Sequence, residues 1–218
     1  MTPAERKERT EKLLAEKGIG INPNLPLTEP ASEIELKSTD DICKRAVAAL
    51  LSTQVGIELS EQHTEDAASF VNLIDHFGVR NVLNSKEEKL INGTATQQDV
   101  TDVVWEYECY WALVWALGLI DDISDASGIC DCLTAIRLVS KCSGFEDFKS
   151  RCKLRSKDEI LDMLDLYYRY HWAVVQHEHI DSSCPIGNLV GDVVFERRRG
   201  LEWLICDTED WYDISLDT

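Results

Sequence analysis

The sequence has no apolar run long enough to cross a lipid bilayer. The longest, Cys109–Ile120, has 12 residues, whereas a membrane-spanning helix needs about 20. The opening residues MTPAERKERTEKLL are charged and lack the apolar centre of a secretory signal. We therefore expect a protein that stays in the cytoplasm and makes no contact with a membrane.

Basic residues are also scarce. Lys and Arg together number 22 against 40 Asp and Glu, which gives a formal net charge of −18. The field around such a chain repels phosphate backbones and anionic lipid head groups, so nucleic acid is not an expected partner. The charge favours a basic protein as partner, although an excess of acid also serves solubility alone.

Recognisable catalytic and metal-binding patterns are missing as well. The sequence contains no GxSxG, GxxxxGK[ST], HExxH or GxGxxG pattern. Cys130 and Cys132 lack a second cysteine pair at zinc-site spacing, and His177 and His179 lack a clear third ligand. We expect no metal and no cofactor. The eight cysteines are most simply small apolar core residues in a reducing compartment.

The first part of the chain predicts a helix followed by an extended arm. Residues 3–17 form a charged helical pattern that Gly18 ends, and three prolines then interrupt helix formation over the following residues: Pro23, Pro26 and Pro30. We expect residues 1–37 to form an N-terminal helix and arm packed on the body, and residues 38–218 to form a single helical domain.

The rest of the sequence is helical in pattern, and the full chain has 44% hydrophobic residues and six Trp for a core. Apolar residues recur at offsets of three, four and seven, and no period-two alternation is present. We predict an all-α fold of about seven to eight helices. One helix begins at Ser38, and others lie near 64–77, 85–92, 96–117, 129–141, 145–152, 157–178 and 188–205. The acidic tail contains Trp211, Ile214 and Leu216, which predicts that it is ordered on the body.

Several segments in order along the chain resemble the domain-of-unknown-function family 4272. They are RKERTEKLLAEKGIGINPNLP near the start, WEYECYWALVWALGLID at 105–121, Cys130 with Asp131, RSKDEILDMLDLYYRYHWAVV at 155–175, VVFERRRGLEWLI at 193–205 and DWYDISLDT at 210–218. The resemblance covers nearly the whole chain, less clearly at 58–100. It implies a helical bacterial domain, and it implies no mechanism because the family carries no established activity.

Two helices place charged residues on apolar faces. At 100° per residue, Glu106 and Glu108 lie on different faces of the long helix, and both faces are apolar. Arg197 lies in the middle of an apolar stripe on the last helix. Because arginine keeps its proton, it needs a carboxylate or must reach water along its own stem. Glu106 or Glu108 is the natural partner.

The sharpest hypothesis is a buried cluster in which Glu108, His171 and Arg197 meet, with His171 as proton carrier; Glu106 and Glu196 are secondary candidates. His171 shares an apolar helix face, which predicts burial. The favoured interpretation is a structural ion pair with a hydrogen-bonded histidine, which fixes helix register and does no chemistry. Three further charged residues are expected to face solvent: Arg169, in an intrahelical pair with Asp165, and Arg198 with Arg199.

Composition and motifs leave three functions open. The favoured one is a non-enzymatic acidic protein that binds a basic protein, as an immunity-type inhibitor or a regulatory adaptor does. The second is an enzyme that uses the buried cluster for proton transfer on a small molecule. The third is an oligomeric scaffold.

Overall fold

The computed structural model describes residues 1–218 as one all-α domain without β-strands. The predicted fold class is confirmed, with nine α-helices where about seven to eight were expected. The helices are α1 Pro3–Glu16, α2 Thr39–Ser60, α3 Thr64–His76, α4 Ser85–Ile91, α5 Gln97–Ala116, α6 Cys132–Ser140, α7 Phe145–Ser150, α8 Lys157–Val175 and α9 Gly191–Trp203. None of these helices is sufficiently long and apolar to span a membrane.

Most helices begin where a polar side chain caps them. Thr2, Thr96 and Ser156 each form a capping box, in which the cap side chain accepts from the third helical N–H and the third side chain accepts from the cap N–H. Helix α4 begins at Ser85, as the sequence predicts, and Asn84 caps it. Helix α6 starts at Cys132, later than the predicted 129, because Asp131 caps it.

The core lies around α5, which packs between α2 and α9, while α8 packs on α9. Helix α5 is buried on nearly every side from Glu106 to Ala116, as a helix that is apolar all round should be. The contact with α9 depends on Gly200, since a Cβ there would lie 2.8 Å from the carbonyl oxygen of Cys109. This close approach sets α9, and hence Arg197, directly against α5.

Helix α1 lies across α8 and brings charge into the interior. The buried Arg6 donates to Asp162 at 2.8 Å and to Asp158 at 3.1 Å. Asp165 and Arg169 are also buried, at 0% and 2% exposure, with their guanidinium–carboxylate contact at 2.9 Å. The predicted pairing is present, but the expectation that it faces solvent was wrong because α1 covers this face of α8.

The C-terminal tail is fixed on the body. The Trp211 side chain is buried, and Trp203 Nε1 donates to the Glu209 carbonyl at 3.0 Å. Arg198 holds the last residues by donating to the carbonyls of Leu216 at 3.2 Å and Asp217 at 3.0 Å. The tail is therefore ordered, as its apolar residues predict.

Candidate functional site

Arg197 and Glu108 form a buried ion pair between α9 and α5. Arg197 Nε lies 2.7 Å from Glu108 Oε2, and the two side chains are 3% and 2% exposed. Of the two glutamates that the sequence offers as partners, Glu108 is therefore the one that neutralises the arginine. An unpaired charge at this depth would carry a large desolvation penalty.

The remaining donors of Arg197 organise residues 119–131, which we call the acidic loop. Nη1 donates to the carbonyls of Ile123 at 3.3 Å and Asp125 at 2.6 Å, and Nη2 donates to that of Gly128 at 3.3 Å. Glu108 Oε1 accepts from the backbone N–H of Cys130 at 2.7 Å. The ion pair thus holds the loop by its backbone from both of its members.

Tyr167 of α8 completes this arrangement. Its hydroxyl accepts from Arg197 Nη1 at 3.1 Å and donates to the Ile123 carbonyl at 2.5 Å. Burial, partly offset by Arg197, raises the pKa of Tyr167. The phenol therefore remains protonated and keeps donating to the loop at physiological pH.

The acidic loop presents charge and apolar surface together. Its exposed carboxylates are Asp121, Asp122, Asp125 and Asp131. Ile129, in the loop, and Leu133, the second residue of α6, are each 64% exposed. Trp111, Arg197 and loop residues line an adjoining cavity of about 240 Å³. Two exposed aliphatic side chains among four aspartates form an unusual surface for a chain whose other large apolar residues are mostly buried.

The expectation that His171 joins Glu108 and Arg197 is corrected by the structure. His171 Nδ1 lies 2.6 Å from Nη1 of Arg198, the next residue on α9, whose side chain points about 100° away from that of Arg197. Because an arginine only donates, Nδ1 accepts and the histidine is neutral. Arg198 itself is 4% exposed, so the prediction that it faces solvent was also wrong.

Because His171 is neutral in the folded protein, we expect the stability of the fold to be sensitive to acid. Burial and the charge of Arg198 lower its pKa from 6.5 to about 4. As pH falls below 6.5 the unfolded chain takes up a proton that the folded chain refuses, so His171 by itself contributes a loss of stability of about 3 kcal/mol between pH 6.5 and 4. We expect His171→Asn, which retains an acceptor for Arg198, to remove this decrease in urea unfolding across that range. The exposed His179→Asn serves as control and should retain the full decrease.

Glu106, a secondary candidate, belongs to a second buried network under the tail. Its Oε1 accepts from Asn84 Nδ2 at 2.8 Å, from the Tyr212 hydroxyl at 2.8 Å and from Trp211 Nε1 at 3.4 Å. Burial and the charge of Glu87 raise the pKa of Glu106 well above its usual value. Its other oxygen, Oε2, is buried without a hydrogen-bond donor, and the Glu87 carboxyl lies beside it.

Arg45 neutralises the Glu87 carboxylate in this network. The Arg45 guanidinium contacts Glu87 and stacks 4.5 Å from the ring centre of Trp211. Both charged residues are buried, at 2% and 0% exposure. The burial of Arg45 could have been predicted from the sequence, because Arg45 lies within the apolar stripe of Ile42, Ala46 and Ala49. Arg197 lies within an apolar stripe of α9 in the same way.

Glu196, the other secondary candidate, pairs with its helix neighbour Arg199. The two side chains contact at 2.5 Å, and Cys109 Sγ donates to Glu196 Oε2 at 3.2 Å. Burial raises the pKa of Glu196. Arg199 is half-buried, with its guanidinium 4.6 Å from the ring centre of Phe195. The expectation that it faces solvent was therefore wrong, and the pair joins neither Glu108 nor His171.

A small group at the end of α2 has ligand types that can bind metals. Glu58, Glu61 and His63 bring one ligand atom each within 4.8 Å of one another. His63 and Glu61 are largely exposed, and His63 Nδ1 contacts Glu58 at 3.0 Å. Exposed carboxylates of this kind commonly lie together without an ion, so the group identifies no metal site.

The fold and the site define a class, a single all-α domain in which a buried ion pair organises an acidic surface loop. A family model described as Domain of unknown function (DUF4272) matches residues 6–214, so the chain belongs to this family. No curated protein and no solved structure matches the chain.

Proposed function

We propose that the chain is a non-enzymatic binding protein whose acidic loop, together with Leu133, engages a basic protein. The observation that supports this most directly is the use of Arg197. Its guanidinium donates to three loop carbonyls while it pairs with Glu108. Arg197 and Glu108, two of the residues that the sequence suggests for catalysis, thus hold a surface segment in place.

A catalytic role for the same residues has less support. Both oxygens of Glu108 accept hydrogen bonds, one from Arg197 and one from the Cys130 backbone. His171, the intended proton carrier, bonds to Arg198. Proton transfer requires the base within hydrogen-bond reach of the reacting group, and here the acid and the histidine lie in separate networks.

The loop suits the recognition of a cationic surface. Because its backbone is already fixed, binding loses less conformational entropy than it would with a free loop. Four aspartates attract a basic partner over long range and raise the association rate, while Ile129 and Leu133 supply apolar area to be buried on contact. An inhibitor of a basic toxin, or a regulatory adaptor, needs a binding surface with these properties.

Affinity capture with matched variants tests the proposal. The immobilised chain would be exposed to extract from its own organism, beside a loop variant with Asp121→Asn, Asp122→Asn, Ile129→Ser and Leu133→Ser. A control with Glu65→Gln and Asp66→Asn removes the same charge from exposed positions on α3. We expect a basic protein that the wild type and control retain and the loop variant loses.

Kinetics with the purified partner complete the test. The association rate should fall by about tenfold or more in the loop variant and should fall with rising salt for the wild type. Retention that is equal for the loop variant and the wild type would disprove the role of the loop. A partner without excess positive charge, bound at a rate that salt does not change, would disprove the electrostatic part.

A further inference from the structure

A cavity of about 520 Å³ lies between α1 and α8. Four apolar side chains line it: Leu13 of α1, Met163 and Leu166 of α8, and Trp115 at the end of α5. Its volume is in the range of small-molecule sites, which combine apolar and aromatic walls with a few polar groups. None of the lining residues belongs to the acidic loop, so the cavity is separate from the surface proposed to bind a protein.

Thr10 brings an unpaired hydroxyl to this cavity. The Thr10 side chain is only 4% exposed, and it lines the cavity beside Leu13. Its hydroxyl has no hydrogen-bond partner in the protein and is not sealed from solvent, so it opens into the cavity. Buried polar groups normally have a partner, since leaving one unpaired costs free energy. A ligand with a polar atom at this depth would supply the missing hydrogen bond.

Most of the charged groups at the cavity are already paired. Arg9 Nη2 lies 2.7 Å from Asp162 Oδ2, which joins α1 to α8. Glu159 Oε1 lies 3.2 Å from Arg155 Nη1, and its other oxygen belongs to the capping box of α8. These charges therefore need no counter-charge from a ligand.

Two opposite charges on α1 remain unpaired. Lys12 and Glu16 line the cavity, both are exposed, and neither forms an ion pair. They are four residues apart, so they are neighbours on the helix surface. An ammonium and a carboxylate so placed complement a molecule that carries a carboxylate and an ammonium close together. An α-amino acid carries both groups on one carbon.

We propose that this cavity binds a free aromatic amino acid that carries a ring hydroxyl, of the tyrosine class. The ligand carboxylate pairs with Lys12 and its ammonium with Glu16, at the rim. The ring packs against Trp115 and the aliphatic side chains around it, where burial of apolar area supplies most of the affinity. The ring hydroxyl reaches inward and pairs with the hydroxyl of Thr10. Each unpaired polar group at the cavity thus meets one group of the ligand.

A ligand series on the full-length wild type tests the proposal. The amide NMR shifts of the protein would be followed as L-tyrosine, L-phenylalanine, tyramine or 3-(4-hydroxyphenyl)propionate is added. We expect saturable shifts within residues 9–16 and 159–166, with L-tyrosine bound most tightly. The other three compounds lack the ring hydroxyl, the carboxylate and the ammonium respectively. Each should bind about two- to tenfold more weakly.

Matched variants assign each preference to one side chain. Thr10→Val should bind L-tyrosine and L-phenylalanine equally. Lys12→Met should lose the preference over tyramine, and Glu16→Gln should lose the preference over 3-(4-hydroxyphenyl)propionate. Glu8→Gln, at an exposed position of α1 outside the cavity, should keep all three preferences.

The wild-type series remains decisive even if a variant folds poorly. Equal affinity for all four compounds would overturn the amino-acid assignment, because apolar contact alone would then explain binding. The absence of saturable shifts with L-tyrosine, or shifts confined to residues outside α1 and α8, would overturn the site itself. A folded Thr10→Val protein that still prefers L-tyrosine to L-phenylalanine would overturn the role of the Thr10 hydroxyl.

Discussion

Glu108→Ala is expected to lower the free energy of unfolding by about 3–5 kcal/mol, because it leaves Arg197 charged and buried without its carboxylate. Arg197 cannot lose its proton, so the folded state bears the full cost. Chemical denaturation followed by Trp fluorescence measures the change. Glu88→Ala, at an exposed position on α4, is the control and should change stability by less than about 0.5 kcal/mol.

A double variant separates the ion pair from its role in the loop. Glu108→Leu with Arg197→Met removes both charges and keeps apolar volume, so it should recover part of the stability lost by Glu108→Ala. The loop carbonyls would nevertheless lose their donors. We expect faster amide exchange over residues 119–131 in the double variant, while exchange in α2 stays slow.

Two results would contradict the roles that we assign to Glu108 and Arg197. If Glu108→Ala unfolded no more easily than Glu88→Ala, the pair would contribute nothing to stability. If the double variant kept the loop as protected as the wild type, Arg197 would not organise it, and the proposed binding surface would lose its structural basis.

The sequence predicts the helices well because their signals are local. Capping residues such as Thr96 and Ser156 determine where helices begin, and the apolar stripe around Arg197 indicates that its side chain points inward. These features depend on neighbours within a few residues. The prediction that Arg197 meets a glutamate of α5 follows from the same kind of pattern.

The sequence does not determine which side chains meet between helices. The rotation of α9 against α8 places Arg198, and not Arg197, beside His171. The burial of Arg169 depends on α1 crossing α8, a long-range contact that periodicity along α8 does not reveal. Residues on one helix face can be predicted to be buried, but their partners depend on how the elements pack.

Arg45→Met is expected to lower the free energy of unfolding by about 3–5 kcal/mol, since the buried Glu87 carboxylate would lose its cation. Methionine keeps most of the side-chain volume, so lost packing contributes little. Urea unfolding at pH 7 measures the effect. The neighbouring Lys44→Met removes a half-buried cation that pairs with Asp40 on the surface of the same helix, and it should cost only about 0.3–0.5 kcal/mol.

Glu106→Gln distinguishes loss of charge from loss of a hydrogen bond in this network. The raised pKa of Glu106 means that the folded protein keeps a proton that the unfolded chain releases above about 4.5. The contribution of Glu106 to stability should therefore decrease as pH rises from 4.5 through the folded pKa, opposite in sign to that of His171. The glutamine variant, which imitates the protonated acid, should lack this contribution, so the difference between variant and wild type should change with pH. Its amide can donate to Glu87 while its oxygen still accepts from Tyr212, so at pH 7 its stability should equal or exceed that of the wild type. A loss at pH 7 as large as that of Arg45→Met would show that Glu106 is ionised in the folded protein, with Arg45 shared between two carboxylates.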